Sequence, residues 1–300
     1  MGYHKPVLLK ESIDGLNIRQ DGTYVDLTFG GGGHSREILT KLKNGRLIAF
    51  DQDEEAGAEA AQITDKRFTF VRSNFRFFRN FLRYHKIDLV DGILADLGLS
   101  SHHIDEPSRG FSFRSDGSLD MRMNRDGRVT AIDILNKYSI EELIKIFRMF
   151  GEVNNAGKVS HAIAAAREEK LFSDIPGFLE AISSCIPPRQ ESKYLAKIFQ
   201  ALRIEVNNEL EALKQMLMNV LQCLDKEGRL VVISYHSLED RMVKNFMRTG
   251  KPEGVLEKDF YGNPLVPFEV VTRKVIVPGE DEILNNKRAR SARLRIARRN

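Results

Sequence analysis

Short, β-branched apolar runs alternate with helix-period runs over the first hundred residues, and no other feature narrows the folds open to this chain as much. Tyr24 to Leu27, Leu47 to Phe50, Phe68 to Val71 and Gly92 to Leu97 have strand character, and Ser35 to Lys43, Glu54 to Ile63 and Phe75 to Arg83 have helical character between them. This alternation predicts a parallel sheet with helices on both faces, because parallel neighbours need a crossover between them. The pattern stops at Gly98. From there to Arg128 the chain holds four Gly, six Ser and few large apolar residues beyond Phe111, Phe113 and the methionines, the composition of a lid or binding loop. A helical block follows over Thr130 to Glu205, with a capping box at Ser139-Ile140-Glu141-Glu142 and a break at Pro187-Pro188. After a further helix over Asn207 to Leu224, strand character returns at Leu230 to Ser234, Glu269 to Thr272 and Ala292 to Ala297. A sheet that pauses and resumes implies an insertion. The expected architecture is α/β, a core from 1–104 and 206–300 with an all-helical domain inserted at 105–205.

Several classes are disfavoured. No run approaches the roughly 18–20 apolar residues of a membrane helix, and the N-terminus lacks the layout of a signal peptide. The two cysteines, Cys185 and Cys223, sit in helix-like apolar settings without metal spacing and read as buried thiols of a reducing compartment, so a cytoplasmic location is expected. The segment Lys287 to Asn300 holds seven Lys/Arg and no acid, more than the whole chain's net charge of +4, so the remainder is net negative. Within it Ala292, Leu294 and Ile296 alternate with Arg293 and Arg295, the two-residue period of a strand with one buried face. Its other face would be basic, which suits a polyanion such as nucleic acid.

The chemistry concentrates where strands end. Phe29-Gly30-Gly31-Gly32-Gly33-His34-Ser35 follows the first strand and leads into a helix expected to be capped near His34-Ser35. Glycines let backbone approach a ligand closely, and a helix N-terminus offers free N–H groups to it. Asp51 closes the second strand, where an acid accepts hydrogen bonds from ribose hydroxyls in Rossmann-like folds; it is also placed to cap the helix that follows. These features suit either a nicotinamide dinucleotide or S-adenosylmethionine. The glycine spacing is not G-x-G-x-x-G, no second βαβαβ half follows, and the last two strands lack a convincing crossover helix between them and should be antiparallel. All three favour S-adenosylmethionine and a Rossmann-like class I methyltransferase sheet. An NAD-dependent oxidoreductase, a methyltransferase acting on another nucleic-acid base and a non-catalytic RNA-binding assembly factor are the competing readings. Asp96, ending the fourth strand, and His236, in the cluster Ser234 to Arg241 ending the fifth, should face cofactor and substrate.

The motifs together resemble the MraW family, bacterial methyltransferases acting on N4 of a cytosine in 16S ribosomal RNA. The strings that carry the resemblance are His4 to Glu11, Asp26 to Ser35, Asp91 to Ser101, Arg109-Gly110-Phe111-Ser112-Phe113, Asp120-Met121-Arg122-Met123, Phe199 to Ile204 and Ser234 to Arg241. By position, the resemblance implies cofactor contacts at Gly32, Gly33, His34, Asp51, Phe75, Asp96 and His103, with Phe75 offering an aromatic face to adenine. It also implies 16S ribosomal RNA, within the small ribosomal subunit and at its decoding centre, as substrate; no membrane partner is expected, and a homodimer is compatible with it. The chain departs from the Asp/Asn/Ser-Pro-Pro-aromatic motif of many amino-methyltransferases and has Asp96-Leu97-Gly98-Leu99 instead. An amine conjugated with a ring needs an acceptor beside the donor. Asp96 is the first choice and His236 the second, with no metal. The base must leave its stack, and Arg109, Phe111, Phe113 and Arg114 of the long loop are expected to stack on the RNA and close over it.

Overall fold

The computed structural model describes residues 6–272 and 274–300, with residues 101 and 102 described by their backbone alone. His4 and Lys5 of the opening motif lie outside the described residues. The chain divides into two compact units, one of Met1–Gly98 with Leu210–Asn300 and one of Leu99–Glu209. Among the described residues, no helix is long and apolar enough to cross a membrane.

The first unit is a seven-stranded sheet: β1 Thr23–Asp26, β2 Arg46–Asp51, β3 Phe68–Arg72, β4 Val90–Asp96, β5 Leu224–Ser234, β6 Phe268–Val270 and β7 Arg293–Arg299. Its spatial order is β3-β2-β1-β4-β5-β7-β6. β1 to β5 run parallel, and β7 runs antiparallel to both β5 and β6. Strand periodicity sorts the apolar residues between two faces. On β5, Leu230 and Val232 join one core cluster with Val25, Phe50 and Ile93, while Val231 and Ile233 join another with Tyr24, Leu47 and Leu94. A sheet buried on both faces reads as continuous apolar runs, which explains Leu-Ile-Ala-Phe and Leu-Val-Val-Ile in the sequence. Because β1 lies between β2 and β4, the chain leaves it in opposite directions, which makes its carboxyl end a topological switch point where ligands bind.

Three expectations are corrected here. The helix after β1 starts at Gly33, with Gly32 as its N-cap, and so His34 and Ser35 lie in its first turn. β5 begins six residues before the predicted Leu230; its charged opening pairs with β4 through Val90 and Leu224 before a register shift. The link from β6 to β7 does contain a helix, Glu280–Asn285, followed by a 3₁₀ turn, Lys287–Ser291, although the strands are antiparallel as expected. Both cysteines are buried free thiols, and burial pushes Cys223 up to about 12.

The second unit packs five helices, Ala131–Lys137, Ile140–Met149, Ala156–Glu169, Ile175–Ile182 and Glu191–Asn207, around one core. Capping boxes start two of them, at Thr130 with Asp133 and at the predicted Ser139 with Glu142. The stretch read as a lid is part of this core. A helix, Ser101–Asp105, and a 3₁₀ turn, Pro107–Arg109, lead into it, and Phe111, Leu119 and Met121 are buried among the helices. Arg109 is only 2% exposed, and its guanidinium donates to the carbonyls of Arg122 and Met123 at 3.1 and 3.2 Å. Arg109 and Phe111 therefore cannot stack on RNA as expected, since both are held inside the unit. Phe113 is half-buried with its ring 5.7 Å from that of Phe199, and only Arg114 of the four is exposed.

Candidate active site

The turn between β1 and its helix is held from beneath by a carboxylate. Asp26, fully buried at the tip of β1, accepts the Ser35 hydroxyl at 2.6 Å and the Thr28 N–H at 3.1 Å. Burial drives its pKa up, and the Ser35 hydroxyl and the other donors act against that rise. Above this anchor the backbone bends tightly. Gly32 has φ 76°, left-handed, where a side chain would be strained and would meet the ring of Phe29 at 2.6 Å. A Cβ on Gly33 would lie 2.1 Å from Pro6 Cγ, so the glycine lets the N-terminal segment close onto the helix start. Over Gly30, φ 51°, a Cβ would meet nothing within 4 Å: that backbone faces open space.

The neighbouring strand tips tie into this turn. Asp51, at the end of β2, accepts the Gly30 N–H at 2.8 Å through one oxygen and the Asp53 N–H at 2.9 Å through the other. The helix cap considered for Asp51 falls on Asp53, whose carboxylate accepts the Glu55 N–H. Phe75 opens a 3₁₀ turn after β3, with its half-buried ring against the sheet core. Asn74 caps that turn and donates to Gln52 at 2.8 Å, fixing the β3 tip against that of β2.

Asp96 ends β4 beside the turn. Its N–H donates to the Thr28 hydroxyl at 2.6 Å. One carboxylate oxygen, Oδ1, is sealed from solvent and has no hydrogen-bond partner among the described residues, although the side chain as a whole is 20% exposed. Burial pushes the carboxyl up to about 6; the Tyr235 hydroxyl and the Gly98 N–H oppose the rise, and the charge of Glu239 adds to it. A buried acceptor without a donor is costly, and at a strand tip on the switch-point edge it leaves an acceptor a ligand can use. His34 Nδ1 stands 4.0 Å from Asp96 Oδ2. Its Nε2 lies 3.2 Å from the Val7 carbonyl, an acceptor only, so Nε2 carries the proton. Burial lowers the His34 pKa, which keeps the ring neutral with Nδ1 an acceptor.

His236 is the N-cap of the helix Ser237–Thr249. Its Nδ1 accepts the Glu239 N–H at 3.5 Å, and Glu239 accepts the N–H of Tyr235 at 2.9 Å and of His236 at 3.4 Å, a reciprocal capping box. Asp240 in the same cluster binds β7: it accepts Arg295 at 2.7 and 3.0 Å and Arg293 at 3.2 Å. Burial alone would raise the Asp240 pKa, but the two guanidinium groups hold it below the usual range. The basic face expected of the last strand is thereby largely spent inside the molecule, since Arg298 also pairs with Glu227 and Glu269. Its other face is buried through Leu294 and Ile296, as the alternation predicted.

Of the predicted residues, Gly32, Gly33, His34, Asp51, Phe75, Asp96 and His236 gather at the carboxyl edge of one sheet. His103 belongs to the second unit, where its buried ring lies 4.9 Å from that of Phe111. Sequence reasoning gave Asp26, Thr28 and Tyr235 no role. A signal existed for Asp26, an acid on an apolar strand with a serine nine residues later on the helix it must reach. Open backbone at Gly30, the N–H groups of a helix start, a strand-tip carboxylate, an aromatic ring and an orphaned acceptor fit a small ligand with a nucleoside and charged groups, as S-adenosylmethionine has.

The comparisons agree with that fit. The family model described as the MraW methylase family matches residues 1–300. A protein from Bacteroides fragilis named ribosomal RNA small subunit methyltransferase H is 60% identical over 296 residues, 98% of this chain and 97% of its own length. Proteins of the same name from Bacteroides thetaiotaomicron and Phocaeicola vulgatus are 60% and 57% identical over the same shares. A solved rRNA methylase from Streptococcus thermophilus aligns with 96% of this chain and 94% of its own at 10% identity and a TM-score of 0.43, too remote to assign residues. With the family model spanning its whole length and relatives at this level of identity, the chain belongs to the MraW methylase family.

Proposed function

We propose that this protein transfers the methyl group of S-adenosylmethionine to the N4 exocyclic amine of a cytosine in the decoding centre of 16S ribosomal RNA, acting in the cytoplasm on the small ribosomal subunit. The names of its relatives support an RNA of the small subunit as substrate. The observation that carries the chemistry is Asp96, a sealed and orphaned acceptor at the switch-point edge with its pKa pushed up to about 6.

In this reading Gly32, whose own N–H is bonded to the Phe29 carbonyl, lets the backbone approach the donor, the N–H groups of Gly33 and His34 hold its polar atoms, Asp51 accepts its ribose hydroxyls and Phe75 packs on its adenine. The family resemblance also assigns a cofactor contact to His103. The donor supplies an electrophilic methyl group on a sulfonium. The amine is a poor nucleophile because its lone pair is conjugated with the ring. Asp96 accepts a hydrogen bond from the amine N–H, which draws the lone pair out of conjugation and aims it. As nitrogen gains the methyl group it becomes acidic, and Asp96 takes the proton. A carboxyl near 6 is ionised at pH 7 yet basic enough for that task. His236 is the alternative acceptor. Asp96 is favoured because it ends β4 beside the glycine turn at the switch point, whereas His236 caps the helix after β5, although its Nε2, like Asp96 Oδ1, has no hydrogen-bond partner among the described residues.

The test is mass mapping of the nucleotide modified in small-subunit RNA by wild-type protein and by Asp96→Ala. The expected result is one methylated cytosine with wild type and a loss of turnover of at least about 10²-fold in the variant, with S-adenosylhomocysteine still bound. Methylation at a carbon or at adenine would overturn the target, and full turnover in Asp96→Ala would remove this carboxylate from the mechanism.

A further inference from the structure

Beside the site, at the end of β5, lies a cavity of about 260 Å³. Its lining includes Tyr235, His236 and Ser237 together with Arg290, Ser291 and Arg293. The local sequence dictates which side chains face it. Residues 287–291 form a 3₁₀ turn, where residues three apart share a face. Ala289 and Ala292 are three apart and both are buried, which turns Arg290 and Ser291 outward. The turn is held in place: Ala292 donates to the Ala289 carbonyl at 2.8 Å, and Leu294 and Ile276 exchange backbone bonds at 2.9 and 3.1 Å just beyond it.

Within the Asp240 cluster the cations outnumber the acid. Asp240 carries one negative charge and faces two arginines. Arg295 takes it bidentately at 2.7 and 3.0 Å and is largely buried; Arg293 reaches it through one nitrogen at 3.2 Å and is 49% exposed. No ion pair or hydrogen bond ties down the Arg290 side chain among the described residues. Arg293, half exposed and only singly bonded to Asp240, and the exposed Arg290 thus present two guanidinium groups beside Ser237 and Ser291 in a concave site, while the Glu239 carboxylate is bonded to the N–H groups of Tyr235 and His236. Guanidinium groups there match a tetrahedral anion with several acceptor oxygens. The cavity wall Tyr235 is also the residue whose hydroxyl acts on Asp96.

We infer that this cavity binds a backbone phosphate of the RNA substrate, held by Arg290 and Arg293, and so fixes the strand whose target base reaches Asp96. The inference rests on the proposed RNA substrate. Phosphate contacts position a nucleic acid without reading its sequence, which is what an enzyme acting on an extruded base needs beside its pocket.

The test compares wild type, Arg290→Gln and Arg290→Lys on small-subunit RNA, with steady-state kinetics across a salt series. Arg290 is exposed, so the variants should melt with wild type, and S-adenosylhomocysteine should bind them equally. Arg290→Gln is expected to raise KM for RNA about tenfold, with kcat falling less than threefold, and to flatten the plot of log affinity against log salt by about 0.7–0.9. Arg290→Lys should recover part of the loss. Inorganic phosphate titrated alone should show no binding that depends on Arg290. An unchanged KM and salt slope in Arg290→Gln would overturn the site. So would phosphate binding that depends on Arg290 with an unchanged KM, because the cavity would then hold free phosphate. Failure of wild type to methylate RNA would instead strike the proposed function.

Discussion

Two aspartates at the same sheet edge, Asp96 at the tip of β4 and Asp240 on the helix after β5, are both largely withdrawn from water, and their acidities move in opposite directions. Asp240 is saturated by Arg293 and Arg295 and is held below the usual carboxylate range. Asp96 keeps one oxygen with no donor among the described residues and is pushed up to about 6. Burial raises both, and the difference is the supply of cations. A buried carboxylate with a full set of donors joins a helix to a strand. One left short of donors holds reactivity at a cost in stability.

The largest expected effect concerns the poorly paired member. If Asp96 must be ionised to accept a proton, kcat/KM is flat above its pKa and falls about tenfold per unit of pH below about 6. A pH–rate profile for methyl transfer checks this, and a profile level from pH 7 down to 4.5 would deny Asp96 the role. The next concerns the paired member. Asp240→Ala leaves two guanidinium groups without their acid and should cost about 2 kcal/mol, since Arg293 is half exposed and loses less than a fully buried partner would. Thermal melting at pH 7 reads it, and a change within about 0.5 kcal/mol would show that the pair only decorates the surface. The smallest sharpens the contrast in stability. The folded-state pKa of Asp96 is raised, so its contribution is fully present below the unfolded value near 3.9 and is lost as pH rises through about 6. Asp96→Asn removes that loss, and it should be more stable than wild type by about 3 kcal/mol at pH 7 and within about 0.5 kcal/mol of it near pH 4. Denaturant melts at the two pH values measure the difference, and an equal gain at both would exclude ionisation as its cause.

Much of this molecule was legible in order of residues alone. Period-two and continuous apolar runs placed the strands within a few residues because the central strands bury both faces and the last strand one, each in a local, repeating pattern. The glycine run and the acids at Asp51 and Asp96 stood out because strand ends in such sheets point to one edge. The lid reading failed for a different reason. Arg109, Phe111 and Met121 lie in a stretch without periodicity, and nothing local shows that an arginine would be buried against backbone carbonyls of its own loop. The basic last strand misled similarly, because the acids that neutralise it, Glu227, Asp240 and Glu269, lie 29–71 residues from their partners along the chain.

The amino-acid order by itself determined which segments become strands, which turn is lined by glycine and which carboxylates reach the strand tips, since those follow from local sterics and periodic burial. Only the tertiary structure decided which charges are cancelled and which are left over. It set Asp26 under the glycine turn, gave Asp240 two arginines and left Asp96 short of a donor. Electrostatic partners meet through space, across sequence distances that no local pattern spans, and the low polarity of the interior makes their presence or absence decisive.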